Sequence, residues 1–228
     1  MIVVAVIATI ASVAVPKFLS TRLGANESAA ASTLRTIASA QAQIQSANYI
    51  DTDSDGGGEY GFFGELAGTH LVREDDGDGE PQVSLFLMAP SMLSTAFGNL
   101  VAGGSGGVVV RSGYIFQMWL PGSGEEPAGV AEAEDGGMDE ATGPANCEIL
   151  WACYAWPLQR GITGNRVFFV NQDGDILQYN NKGETLYDGL DGGPEPTAAY
   201  TEDHLASLAA NASDGLEAQD ANIWTVLQ

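Results

Sequence analysis

Apolar residues run without a charged side chain from Met1 to Val15 (MIVVAVIATIASVAV) and then thin into a stripe. Leu19, Leu23, Ala30, Leu34, Ile37 and Ile44 recur at the 3.6-residue period of a helix, with Ser28, Ser32, Arg35, Ser39 and Gln43 on the opposite face. The pattern predicts one helix to about Tyr49, apolar on all sides at first and amphipathic afterwards. Thr9 and Ser12 can return their hydroxyls to helical carbonyls, which suits the first part to an apolar solvent. Pro16 lacks an amide hydrogen and predicts a kink, Gly24 weakens the helix by about 1 kcal/mol relative to alanine, and Asn26 is a polar residue on the apolar stripe. A helix of this length would extend about 70 Å, more than one domain needs, so part of it is expected to be buried elsewhere. Three readings of Met1 to Val15 compete. A signal-peptide core lacks its basic leader, a buried strand would be too long, and a bilayer span needs about twenty residues. The preferred reading is a membrane helix whose beginning precedes Met1.

The rest of the chain changes period. Asp51 to Gly61 (DTDSDGGGEYG) ends the rod, and Phe62, Phe63 and Leu66 begin the core of a head. A second acidic loop, Glu74 to Glu80, leads to a strand at Gln82 to Met88 and a short helix or compact loop at Pro90 to Leu100. Gly103 to Gly107 reads as a flexible tip. Val108 to Leu120 (VVVRSGYIFQMWL) reads as one strand rich in β-branched and aromatic residues, and Ile149 to Trp156 as a central strand. Between them Pro121 to Ala145 is too poor in large apolar residues for a core and reads as a surface excursion. Arg166 to Val170 and Asp175 to Tyr179 flank Asp173-Gly174 as a hairpin. An edge strand at Thr185 to Tyr187, a helical piece at Glu202 to Ala210 and an apolar run at Ile223 to Leu227 complete the tail. The expected fold is α+β: a long N-terminal helix, residues 1–49, laid on an antiparallel sheet in a head of residues 50–228.

Charge narrows the partners. The 228 residues carry 30 Asp and Glu against 8 Lys and Arg, a net charge of -22. A field of that sign repels phosphate backbones, so nucleic acid is not an expected partner, while cations are. Lys17, Arg22 and Arg35 lie in the first 35 residues with Glu27 the only acid there, so the stalk is mildly basic and the head holds the acid.

With these residues in view, MIVVAVIATIASVAVPKFL and NESAAASTLRTIASAQAQIQ resemble the N-terminal helix of type IV pilins and of the pilin-like subunits, or pseudopilins, of type II secretion systems. The pieces SGYIFQMWL and GNRVFFVNQDGDILQY are similar to pilin-like heads, particularly of the major-pseudopilin type. The family's precursors carry a short basic leader ending in glycine and a glutamate a few positions after the cut. Neither has a counterpart from Met1 onward, and the sequence is expected to start after both. The resemblance implies a single-pass subunit of the bacterial inner membrane with its head in the periplasm. Assembly machinery then extracts it from lipid into a helical filament of identical or related subunits. Ile2, Val6, Ile10, Val13 and Pro16 would belong to the assembly helix, and Leu19 to Ile44 of the stripe would pack on the head. Ala5, Ala8, Ala11 and Ala14 offer the small surfaces on which apolar helices pack closely. A membrane-tethered, acidic, calcium-dependent adhesion or binding module that never polymerises is the alternative.

Two loops invite calcium. Asp51, Asp53 and Asp55 before Gly56, with Glu59 beyond, give D-x-D-x-D-G, in which alternate oxygens turn toward a hard cation. The twelfth position is Phe62, so this is not an EF-hand. By the resemblance, Ser213 to Trp224 (SDGLEAQDANIW) is similar to the calcium-binding C-terminal loop of major pseudopilins, with Asp214, Asp220 and Asn222 as its ligands. For both, a solvated acidic loop is the competing reading. Cys147 and Cys153 form either a disulfide or two reduced thiols. On one continuous strand they would stand about 20 Å apart, beyond any bridge. His70 and His204 fit no triad or metal pattern, and Ser105 lacks a nucleophile-elbow context, so no enzyme is expected. Trp119, Trp151 and Trp156 are expected in the core.

Overall fold

The computed structural model describes residues 2–75, 77, 81–138, 142–202, 204 and 206–227, without the side chains at 5, 6, 8, 9 and 13. The expectations for Val6 and Val13 therefore lie outside the described residues. Helix α1 (Ile2–Ser46) runs unbroken through Pro16 and Gly24. Just beyond Pro16 the hydroxyls of Ser20 and Thr21 both donate to the carbonyl of Lys17. The helix stops where Asn48 takes a left-handed conformation (φ 49°), a helix terminator that asparagine tolerates. Among the described residues, no helix is long and apolar enough to cross a membrane.

The fold is α+β. Among the described residues, short helices α2 (Phe63–Leu66) and α3 (Pro144–Cys147) accompany ten strands: β1 (Leu71–Asp75), β2 (Pro81–Leu87), β3 (Val101–Gly103), β4 (Gly106–Arg111), β5 (Tyr114–Pro121), β6 (Gly129–Ala131), β7 (Ala152–Pro157), β8 (Val167–Asn171), β9 (Leu177–Tyr179) and β10 (Thr225–Val226). β1 and β2 form a separate hairpin. The others make one antiparallel sheet in the order β10-β9-β8-β7-β5-β4-β3, with β6 also on β5.

Both faces of the sheet are covered. On one, Phe116, Met118, Cys153, Phe168 and Val170 meet Ala30, Leu34, Ile37 and Ile44 of α1. On the other, Trp119, Tyr154, Trp156 and Phe169 meet Tyr187, Tyr200, Leu208 and Trp224 of the tail. The helix stripe thus packs as expected from Ala30 onward, but Leu23 is half-buried and Leu19 is 50% exposed. The head ends before the period does. Asn26 sits on the stripe because its amide donates to the carbonyl of Thr163 (2.8 Å), and the neighbouring Glu27 pairs with Arg166 (2.8 Å). Farther along, Gln41 is buried with both amide atoms bonded to the backbone of Gly61.

Several expectations fail for identifiable reasons. The run Val108 to Leu120 is two strands, because Ser112 and Gly113 both take positive φ (50° and 77°) and turn the chain in a two-residue hairpin. Gly106 and Gly107 belong to β4 rather than to a loop, and Glu74 and Asp75 belong to β1. Residues 76 and 78–80 lie outside the described set. The stretch after Pro121 is not a free excursion: β6 pairs with β5, and Val130, Glu132 and Thr142 are buried. Ile149 is exposed, and the central strand begins only at Ala152. The edge beside β9 is taken by β10, not by Thr185 to Tyr187, which forms no strand. The described residues between Glu202 and Ala210 form turns, with Ala206 at φ 60°, rather than a helix.

Candidate functional site

The loop that follows α1 brings Asp51, Asp53 and Asp55 together, with one carboxylate oxygen of each within 4.8 Å of the others. Local turns set this geometry. Asp51 Oδ2 accepts from the amide of Gly56 (3.1 Å), Asp53 Oδ1 from that of Asp55 (3.3 Å), and Asp55 Oδ1 from that of Gly57 (2.7 Å). Asp51 Oδ1 is buried and has no hydrogen-bond partner among the described residues. A fourth acid faces the loop. A Cβ on Gly57 would lie 2.5 Å from Glu148 Oε2, so the absence of a side chain at 57 admits that carboxylate. Burial first, and then the charges of Asp55, Asp53, Glu59 and Asp51, push the Glu148 carboxyl above its ordinary range. Hard carboxylate oxygens with one orphaned atom are a donor set that fits calcium, held by Asp51, Asp53 and Asp55 with Glu148 alongside.

Glu59 is not part of that set. It is buried, with Oε1 accepting from the amide of Thr52 (2.6 Å) and from the Thr52 hydroxyl, and Oε2 paired with Arg73 at 3.1 Å. Arg73 is itself buried between Glu59 and Glu65 (3.0 Å), donates to Thr142 and to the carbonyl of Tyr60, and lies over the ring of Phe62. A charge pair so enclosed is committed to holding the loop, β1 and α2 together. Glu132 closes the same region. Its carboxylate accepts from the amides of Phe63 (2.9 Å), Gly64 (2.8 Å) and Gly137 (3.3 Å), and burial pushes it up to about 8 against those donors.

In the tail loop, Asp214 and Asp220 both accept from donors of the chain itself. Asp214 accepts from the amide of Val226 (3.2 Å) and borders a 250 Å³ cavity with Asp173 and Asp175. Asp220 Oδ2 accepts from the Tyr187 hydroxyl (2.6 Å), the Asn222 amide (2.9 Å) and the Trp224 indole (3.2 Å). Internal donors thus crowd Asp220 Oδ2, and the Asn222 side chain donates its NH2 to Asp220 and the carbonyl of Thr185, while Asn222 Oδ1 is buried and has no hydrogen-bond partner among the described residues.

Both cysteines are free and buried, so no bridge joins them. Cys153 sits in the central strand β7, while Cys147 ends α3 with its sulfur 3.7 Å from Arg73. Burial pushes the Cys147 thiol up to about 11 and that of Cys153 well above its ordinary value. His204 is exposed beside Glu126 (3.4 Å), and His70 contacts the Thr69 hydroxyl (3.1 Å). Glu148 is the residue that sequence reasoning missed. It lies 93 positions or more from the three aspartates, and no local spacing signals it. No protein-family model, curated protein or solved structure matches the chain.

Proposed function

We propose that the chain is a structural subunit of a helical filament of the type IV pilus or type II secretion pseudopilus kind. It would assemble through the apolar first half of α1. The carrying observation is the contrast along one unbroken helix. From Ala30 to Ile44 its stripe is sealed against the sheet, whereas Ile2, Val3, Val4, Ile7 and Ile10 are each at least 60% exposed. A row of aliphatic side chains on this scale is a surface that soluble chains cover with a partner. Helices of this kind lose little by exchanging lipid for one another, since close packing drives their association. The membrane-held state before assembly belongs to the same proposal. The run from Ile2 to Val15 supplies about 21 Å of helix toward a hydrocarbon layer of about 30 Å. The test is Ile10→Asp in the full chain. The head should stay folded by circular dichroism while filaments disappear from electron micrographs, and intact filaments would refute the reading.

A second reading has its own observation. The orphaned Asp51 oxygen within a carboxylate triad favours a calcium-dependent acidic module that is tethered but does not polymerise. Calcium titration of the full chain by calorimetry tests it, and no heat would remove calcium from the picture.

A further inference from the structure

The hairpin β1–β2 is built to hold apolar side chains in water. Its register pairs Leu71 with Leu87 and Arg73 with Val83, so Val72 alone faces Ser84, Leu85 and Phe86. The buried Ser84 hydroxyl closes this bulge, accepting from the amide of Phe86 (3.0 Å) and donating to its carbonyl (3.2 Å). The bulge drives Leu85 to 85% exposure and Phe86 to 67%. A bulge that re-aims side chains is a conformational device, and an exposed Leu-Phe pair is the composition of an interface anchor.

Its position and charge select the occupant. The hairpin is tied to the far end of α1, where Tyr49 accepts from the amide of Ala89 (3.2 Å) and Ser54 donates to Asp75 (2.8 Å). That end lies about 40 Å along the helix from Phe18. A bilayer taking the first residues of α1 would be remote from it. The acids at the end of β1, Glu74 and Asp75, also repel anionic headgroups and a second, identical hairpin. The first part of α1 has the complementary character. Phe18 (69% exposed) and Leu19 are apolar, Lys17 and Arg22 are basic and exposed, and no acid precedes Glu27.

We propose that the Leu85–Phe86 bulge of one copy docks against the Lys17–Arg22 segment of a second copy, displaced by about 40 Å along the helix direction. The proposal rests on the filament reading and names its longitudinal contact. Two different surfaces meet, so the contact does not close on itself and continues as an open line of subunits.

The test is cross-linking of the full chain with a bismaleimide, in which the buried Cys147 and Cys153 stay silent. A mixture of Phe18→Cys and Phe86→Cys chains should give cross-linked dimers, with either variant alone giving less than a tenth of that yield. Adding Lys17→Glu and Arg22→Glu, or Leu85→Ser on the solvent side, should lower the yield at least tenfold without altering the folded signal. Ile10→Cys, cross-linked with itself, reports helix packing independently. An Ile10→Cys ladder without the Phe18–Phe86 product overturns the docking contact and leaves the filament reading standing. Absence of both overturns both. Dominant self-linking of Phe86→Cys overturns the proposal in favour of symmetric pairing. A blue shift of an environment-sensitive dye on Phe86→Cys, produced by lipid vesicles at dilutions where copies do not meet, overturns it in favour of a membrane.

Discussion

Leu34→Ala and Leu19→Ala change two leucines of the same helical stripe, and spacing alone assigns them the same role. Leu34 has no exposed surface and lies between α1 and the sheet, whereas half of Leu19 is open. Truncating a fully buried leucine removes its transfer energy and leaves a cavity, about 2–5 kcal/mol together. Taking about 3 kcal/mol, and about 2–4 °C of midpoint per kcal/mol for a domain of this size, Leu34→Ala should lower the melting midpoint by roughly 6–12 °C. Leu19→Ala, outside the head, should stay within about 0.5 kcal/mol, or under about 2 °C. The assay is thermal denaturation of the dispersed full chain in mild detergent, followed through the signal of the buried Trp151 and Trp156. Equal losses from both variants would refute the division of the helix between head and stalk, and negligible loss from Leu34→Ala would refute the packing of α1 on the sheet.

Three further outcomes are expected. Arg73→Ala strands two buried carboxylates and should destabilise the head by about 3–5 kcal/mol, read by urea denaturation; a loss under about 1 kcal/mol would show that the network is open to water. Glu132 holds a proton in the folded chain from its ordinary 4.5 up to about 8 that the unfolded chain releases, so its contribution to stability falls as pH rises across that window, by up to about 1.4 kcal/mol per unit. Glu132→Gln should flatten stability against pH between 5 and 8, and unchanged slopes would dismiss the assignment. Asp51→Asn should abolish calcium heat while Glu59→Gln lowers stability and leaves that heat in place, so loss of binding in both variants would return Glu59 to the ligand set.

The order of elements was legible in the sequence wherever the local pattern and the long-range packing agree. The stripe from Ala30 to Ile44 and the hairpin around Asp173-Gly174 are such places, since period and turn chemistry are local. Leu19 was misread because a helical period carries no mark of where the partner surface ends. Ser112-Gly113 was hidden inside a run of good strand formers, and the composition rule that sets aside residues 121–145 does not register that Glu132 caps α2 from 69 positions away. At the candidate site the three aspartates follow from their spacing. Glu59 was misassigned because its cation, Arg73, stands 14 residues on and is paired with it only in the folded chain.

The polar residues along the inner face of α1 have a mechanical meaning. A stripe of aliphatic side chains could slide by one helical turn, about 5.4 Å, and meet a similar row of hollows. Glu27 on Arg166, Gln41 on Gly61 and Gln45 on the carbonyl of Glu148 hold it at three heights, and each would have to break before the rod shifts. A tug along the stalk would therefore load these bonds in shear, side by side, and pass into the head as a whole. The helix is coupled to its sheet like an indexed shaft, and every copy would present its stalk at the same height relative to its head.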